Sequence, residues 1–331
     1  MNHSLLQGAD GCPQDGNVNQ YYSLNEYYKQ KYGKKVYRLA ISGGMTCPNR
    51  DGSIGDTGCI FCSAGGSGEF ASSAALSVRE QLEEAKRRVR SKTRDNLYIA
   101  YFQPFTNTYA PVERLRELYE AAITPGDIVG LSIGTRPDCL PPEVIDLLSE
   151  INERKPVTVE LGLQTIHEST ARYIRRGYRL SVYDQAVHAL HQAGIEVITH
   201  VILGLPDETE EMMLETVKYV GQVTDGIKLQ LLHVLEGTDL ADDYRRGLFR
   251  IMTLEEYASL LCRCIRILPR NVVICRLTGD GDKKSLIAPR WSADKKRVLN
   301  FINKMLTDNN IQQGEQIICK KQPEIYRETA L

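Results

Sequence analysis

The chain has no apolar run that approaches the roughly 20 residues of a membrane span, so a spanning helix is excluded. Residues 1–20 are polar and rich in Gly and Asn, without the apolar stretch of a secretory leader. The expected location is the cytoplasm, where disulfides are rare, and the nine cysteines call for another use. Net charge is only −1, so no global field draws the protein onto nucleic acid. No internal repeat and no low-complexity segment is present, which excludes a repeat architecture. No G-x-G-x-x-G follows the first predicted strand, which argues against a dinucleotide-binding sheet. Tryptophan occurs once, at Trp291.

What is present is the composition of a globular protein: 331 residues, 42% hydrophobic and 25% charged. That length suits one large α/β domain or two ordinary ones. Short apolar runs at 36–42, 97–102, 128–133, 157–163, 195–203 and 226–232 read as strands. Between them, 77–91, 111–123, 141–154, 181–193 and 208–223 read as helices. The first opens on Ser77 with Glu80 three residues later, a capping-box pattern. Six strands alternating with five helices predict a parallel sheet with helices outside, either a full or partial β/α barrel or a doubly wound sheet. A barrel would carry its site at the C-terminal ends of the strands.

The loop after the first strand reads Ser42-Gly-Gly-Met-Thr-Cys47-Pro-Asn-Arg-Asp-Gly-Ser-Ile-Gly-Asp-Thr-Gly-Cys59-Ile-Phe-Cys62, a Cys-x11-Cys-x2-Cys spacing. Three thiolates can bind three irons of a cubane and leave the fourth iron open. Zinc is the competing reading, although a structural zinc site takes four ligands and no nearby Cys or His offers a fourth. Three unrelated thiols are the remaining alternative. Cys12, Cys139, Cys262, Cys264, Cys275 and Cys319 have no ligand spacing and read as ordinary thiols.

Five motifs in order resemble the radical S-adenosylmethionine (SAM) superfamily, and within it the catalytic subunit of Elongator and its small bacterial relatives. The long first gap of the cysteine motif matches that branch, and Phe61 fits the aromatic position before the third Cys. Ser132-Ile-Gly-Thr-Arg-Pro-Asp138 resembles the Elongator Thr-Ile-Glu-Thr-Arg-Pro-Asp, with Gly134 in place of Glu. Val159-Glu-Leu-Gly-Leu-Gln164 is similar to Glu-Leu-Gly-Val-Gln, and Arg176 follows at the spacing of an arginine that binds the SAM carboxylate. His200-Val-Ile-Leu-Gly-Leu-Pro206 resembles the segment that ends in Gly-Leu-Pro-Gly-Glu-Thr. Lys228-Leu-Gln-Leu-Leu-His233 is similar to the Lys-bearing sixth strand. Gln103-Pro-Phe-Thr-Asn-Thr-Tyr109 stands where relatives carry a Gly-Gly-Glu-like segment.

The resemblance implies a partial (β/α)6 TIM-like barrel over residues 36–250, an N-terminal extension 1–35, and a basic C-terminal α/β extension 251–331 as a lid or tRNA contact. It implies a 4Fe-4S cluster on Cys47, Cys59 and Cys62, and SAM beside Phe61, Gln103, Thr106, Asn107, Thr108, Ser132, Thr135, Arg136, Glu160, Gln164, Arg176, His200, Gly204, Leu205 and Pro206. Lys228, Gln230 and His233 are the expected substrate-facing residues. The implied activity is reductive cleavage of SAM to a 5′-deoxyadenosyl radical, used on the C5 side chain of a tRNA wobble uridine. A flavodoxin- or ferredoxin-type electron donor is implied with it. Alternatives are a radical SAM enzyme acting on a metabolite or protein, and a non-catalytic metal-binding protein. Two basic stretches bear on tRNA. Residues 283–331 hold ten Lys/Arg against five Asp/Glu. Lys86, Arg87, Arg88, Arg90, Lys92 and Arg94 read first as a solvated helix face.

Overall fold

In the computed structural model the described residues are 20–66, 71–91, 93, 95–279, 281 and 283–317. Strands β1 (Val36–Ile41), β2 (Leu97–Phe102), β3 (Ile128–Thr135), β4 (Val157–Gln164), β5 (Glu196–Leu203) and β6 (Gly226–Leu231) line up in chain order in one parallel sheet. A parallel sheet needs a crossover between neighbours. Helices α2 (Val78–Val89), α3 (Val112–Ile123), α4 (Pro142–Asn152), α6 (Leu180–Gln192) and α7 (Glu210–Gly221) supply them. The sheet curls into a half-barrel. Its strands are covered on both faces, which is why they read as nearly unbroken apolar runs: β2 is buried from Tyr98 to Phe102.

The predicted elements are present, with most ends moved by one or two residues, as local criteria allow. The sheet does not stop at residue 250. Strand β8 (Val273–Arg276) pairs with β6 in parallel, Gly226 opposite Val273, and becomes the seventh strand. Two short strands, β7 (Val234–Leu235) and β9 (Leu286–Ala288), form a separate antiparallel pair. Helices α1 (Leu24–Tyr32), α5 (Glu168–Tyr173) and α8 (Asp239–Arg245) were not expected from the sequence. Helices α9 (Leu254–Ile267) and α10 (Lys295–Asp308) pack on each other after the barrel.

Helix α1 touches both edge strands, β1 and β8. The connection is tightened by Ile274 N–H donating to Tyr22 O at 2.8 Å and Tyr22 N–H to Gln313 Oε1 at 2.8 Å. Gln313 N–H donates to Gln20 O at 3.0 Å. This clasp ties residues 20–22 to residue 313 beside β8.

The capping box on α2 is complete. Ser77 Oγ accepts from Glu80 N–H at 3.3 Å, and Glu80 accepts the Ser77 N–H at 2.9 Å. Replacing Ser77 with Ala is expected to cost about 1 kcal/mol of stability in urea denaturation. A cost near zero would show that the cap is not holding the helix end.

Lys86 pairs with Asp127 at 2.7 Å and Glu83 at 2.9 Å, and Arg88 pairs with Glu84, so these two members of the basic run are ion-paired. Lys92 and Arg94 lie outside the described residues. So do Cys12, Cys319 and the end of the basic tail. Trp291 donates its indole N–H to Met252 O at 3.1 Å and packs 5.9 Å from the Tyr257 ring, a packing role. No helix among the described residues is long and apolar enough to cross a membrane.

Candidate active site

The cysteine loop follows β1 and folds on itself. Arg50 N–H donates to Cys47 O at 2.8 Å, and Cys62 N–H to Cys59 O at 3.0 Å. The Arg50 guanidinium holds Cys62 O at 2.9 Å and Ser63 O at 2.6 Å. Buried Asn49 donates one amide N–H to Arg175 O at 2.7 Å and the other to Cys59 Sγ at 3.4 Å. A carbonyl can only accept, so this contact fixes which end of the Asn49 amide is nitrogen.

Cys47, Cys59 and Cys62 all line one cavity of about 250 Å³ at the C-terminal ends of the strands. Cys139, Cys262, Cys264 and Cys275 do not line it. Among the described residues no three Cys, His, Asp or Glu side chains converge on a single metal-ion position. In a cubane each thiolate binds its own iron, so its donors need not meet at a point. The donor set fits: three thiols of one loop on one wall, one of them already receiving an N–H bond at sulfur.

The same cavity is lined by Glu160, which is 1% exposed. Oε1 takes the Arg38 guanidinium and the Ser132 hydroxyl at 3.1 Å. Oε2 takes the Tyr101 hydroxyl at 2.8 Å, His200 Nε2 at 2.8 Å and the Lys228 ammonium. Burial alone would raise the Glu160 pKa, but Arg38, Lys228 and the His200 bond hold it well below the usual range. Burial pushes His200 down to about 4, with Lys228 adding to it and Glu160 opposing. Burial also lowers Lys228, against the pull of Glu160 and with help from Arg38 and Arg276. Arg38 further stacks 3.7 Å from the Tyr101 ring centroid.

Of the residues expected at SAM, the cavity wall includes Phe61, Gln103, Thr106, Thr135, Arg136, Glu160, Gln164, Arg176 and His200. Lys228, Gln230 and His233 line it too, and Lys228 faces inward with 3% exposure. Ser132, Asn107 and Thr108 are off the wall. Ser132 serves Glu160. The Asn107 amide donates to Gly134 O at 2.8 Å, and the Thr108 hydroxyl is engaged by Thr135 Oγ1 at 2.6 Å and Cys139 O at 2.5 Å. These contacts shape the loop after β2, while the buried Asn107 Oδ1 has no hydrogen-bond partner among the described residues. Gly204, Leu205 and Pro206 are also off the wall. Leu205 packs with Ile60 and Ile174 beneath the cysteine loop, and Gly204 turns the chain at φ +92°.

Arg176 reaches the wall, yet its guanidinium braces the loop after β4. It donates to Thr165 O at 2.7 Å, Tyr178 O at 3.0 Å and Glu168 at 3.1 Å. Arg136 forks onto Asp138 at 2.9 and 2.7 Å. Gln164 and Phe105, both on the wall, hold left-handed φ values of +71° and +58°. Such backbone strain in residues other than glycine clusters at functional sites.

Comparison with known proteins agrees with this geometry. Residues 47–220 match the model of the Radical SAM superfamily, and residues 224–308 that of the Radical_SAM C-terminal domain. The chain belongs to the radical SAM superfamily. It is a radical SAM enzyme of the Elongator-like branch, a family that works with a 4Fe-4S cluster and SAM. It is 44% identical to YtqA of Bacillus subtilis over 304 residues, covering 92% of this chain and 94% of that protein. It is 28% identical over 156 residues to the tRNA uridine(34) acetyltransferase of Methanocaldococcus jannaschii, covering 46% of this chain and 28% of that protein. In structure it resembles archaeal Methanocaldococcus infernus Elp3, with a TM-score of 0.64 and 18% identity over 84% of this chain and 64% of the other. That likeness carries the fold. The C-terminal match starts inside the barrel, consistent with β8 completing the sheet.

Arg38, Tyr101, Asn49 and Arg276 were not singled out in the sequence. Arg38 carried a usable signal, because a charge inside an apolar strand is costly unless paired. Asn49 carried none beyond its place two residues after Cys47.

Proposed function

We propose that this radical SAM enzyme acts in the cytoplasm on the C5 side chain of a tRNA wobble uridine. The step we assign is maturation of a 5-carboxymethylaminomethyl group toward 5-aminomethyl. The observation that carries the reading is the sequence relationship over 156 residues to a protein named as a tRNA uridine(34) acetyltransferase. The matched stretch is far shorter than that relative, so its acetyl transfer is not carried over. When bound, a reduced 4Fe-4S cluster and SAM supply a 5′-deoxyadenosyl radical. The chain's own residues position the reactants and exclude water. Cys47, Cys59 and Cys62 hold the cluster. Phe61, Gln103, Thr106, Thr135, Arg136, Gln164 and Arg176 surround SAM. Lys228, Gln230 and His233 face the substrate, and a flavodoxin- or ferredoxin-type protein supplies the electron.

The test is anaerobic reconstitution with iron and sulfide, reduction with dithionite in the presence of SAM, and assay of 5′-deoxyadenosine with and without bulk tRNA. The expected result is deoxyadenosine whose yield rises with tRNA, together with an altered wobble uridine in the recovered tRNA. Deoxyadenosine that does not respond to tRNA would overturn the substrate and leave the reaction class intact.

A further inference from the structure

Cys59 has a neighbour that no ligand-binding role accounts for. Asn49 is 4% exposed. Its amide donates one N–H to Arg175 O at 2.7 Å and the other to Cys59 Sγ at 3.4 Å. Asn49 does not line the cavity that Cys59 lines, so it reaches the sulfur without taking ligand space. The Cys59 thiol itself donates to Arg175 O at 3.7 Å. Once iron replaces that proton the sulfur can only accept, and Asn49 is placed to donate to it.

The amide is held in this orientation from three sides. Gly58 N–H donates to Asn49 O at 2.6 Å, which ties the Asn49 backbone to the residue before Cys59. In the turn after α5, Arg175 takes a left-handed φ of +57°, uncommon for a residue other than glycine, and its carbonyl accepts from Asn49. Gly177 follows at φ +84°, and a Cβ there would come within 2.9 Å of Asn49 Oδ1. With its oxygen end against Gly177 and one N–H on Arg175 O, the amide turns its second N–H to the sulfur. Backbone strain of the kind seen at Arg175 persists only where the surroundings enforce it, and it clusters at functional sites.

We propose that Asn49 is a positioning residue that raises the reduction potential of the 4Fe-4S cluster through its N–H bond to the Cys59 sulfur. The proposal rests on the assignment of Cys59 as a cluster ligand made above. Reduction adds one electron, from the donor protein or from a chemical reductant, and part of the added charge falls on the thiolate sulfurs. No proton moves, and no covalent bond forms or breaks. An N–H bonds more strongly to the more negative sulfur, so the contact favours the reduced cluster. Hydrogen bonds to sulfur are among the factors that set cluster potentials. Burial keeps the effect large, because water does not compete for the N–H.

The test is a dye-mediated redox titration of the reconstituted protein without SAM, followed by the electron paramagnetic resonance signal of the reduced cluster. Asn49→Leu keeps the bulk of the side chain and removes both N–H groups; Asn49→Ala takes its place if circular dichroism shows that the Leu variant does not fold. Reduction is expected to become about three- to tenfold less favourable, a downward shift of about 28 to 59 mV for one electron. Thr57→Ala is the control. It removes the hydroxyl that accepts from the Arg175 guanidinium at 3.0 Å, and so loosens the same loop without touching sulfur. Its potential should stay at the native value. The sign separates the bond from loosening, because water admitted to the cluster favours the more negative, reduced state and moves the potential up. An unchanged or raised potential in the Asn49 variant overturns the proposal, and so does a matching downward shift in Thr57→Ala. Iron and sulfide analysis separates this from the cluster assignment. If native protein and Cys59→Ala hold the cluster equally, the assignment of Cys59 falls and takes the proposal with it. If the cluster depends on Cys59 but neither Asn49 variant binds it, Asn49 builds the loop and does not tune the cluster, and the proposal falls alone.

Discussion

Cys59→Ala protein is expected to emerge from anaerobic reconstitution without its 4Fe-4S cluster and to form no detectable 5′-deoxyadenosine, while its sheet stays folded. Cys59 is on a surface loop, outside the apolar core, so its loss should cost the fold about 1 kcal/mol or less. The effect on the cluster is all-or-none by comparison, because one iron loses its protein ligand. Cys264→Ala is the matching control. Cys264 is fully buried in α9 and does not line the cavity, so its variant should keep iron and lose stability instead. Iron and acid-labile sulfide, the cluster's visible absorption, and urea denaturation separate the two behaviours. Retained deoxyadenosine formation in Cys59→Ala would remove this cysteine from the cluster.

The second large effect is at Glu160. Glu160→Gln keeps the shape of the side chain and removes the one charge that holds Arg38 and Lys228 together. Two buried cations without a counter-charge should cost about 3–5 kcal/mol, a large share of the stability of an ordinary domain. Glu160→Gln combined with Lys228→Met should cost less than the sum of the single changes, because the second removes one of the stranded charges. A loss under about 1 kcal/mol in the single variant would mean that the carboxylate is not the hub.

The same hub sets a pH dependence with a definite sign. The folded pKa of Glu160 is depressed, so its contribution is present above the unfolded carboxylate value and is lost as pH falls through the folded one. His200 is depressed from 6.5 to about 4, so between those values the unfolded chain binds the extra proton and stability rises with pH. Both act in the same direction. Native protein should become steadily less stable from pH 6.5 downward, and Glu160→Gln should lose the Glu160 share of that slope.

The fold was legible because its physics is local. Strands buried on both faces read as apolar runs, and Ser77 with Glu80 marks a helix start within four residues. Helix α1 was missed because Tyr27, Tyr28 and Tyr32 take the place of an aliphatic stripe. Strand β8 was missed because Val273–Arg276 is short and follows a helix that had seemed to end the barrel. The cysteines were legible by spacing. The Glu160 hub was not, because Arg38 and Lys228 lie 122 and 68 positions from it and meet it only after the sheet has formed. Glu160 was expected at SAM, and the structure adds that its carboxylate is already fully engaged. Asn107 and Thr108 were expected there as well. Their polarity was the visible signal, and nothing in the sequence showed that the Asn107 N–H groups and the Thr108 hydroxyl would bond within the fold.

The clasp beside β8 bears on the order of folding. Strands β1 to β6 pair in chain order, so each new strand needs only the one before it. The contact between Tyr22 and Gln313 spans 291 positions, and contacts of such separation are expected to form after those between chain neighbours. The wall that bears the cysteines and Glu160 should therefore be complete while the clasp is still open. Hydrogen exchange during refolding gives the order directly: the Tyr22 and Ile274 amides should gain protection after those of β2 to β5, and simultaneous protection would show that sheet and clasp close as one unit.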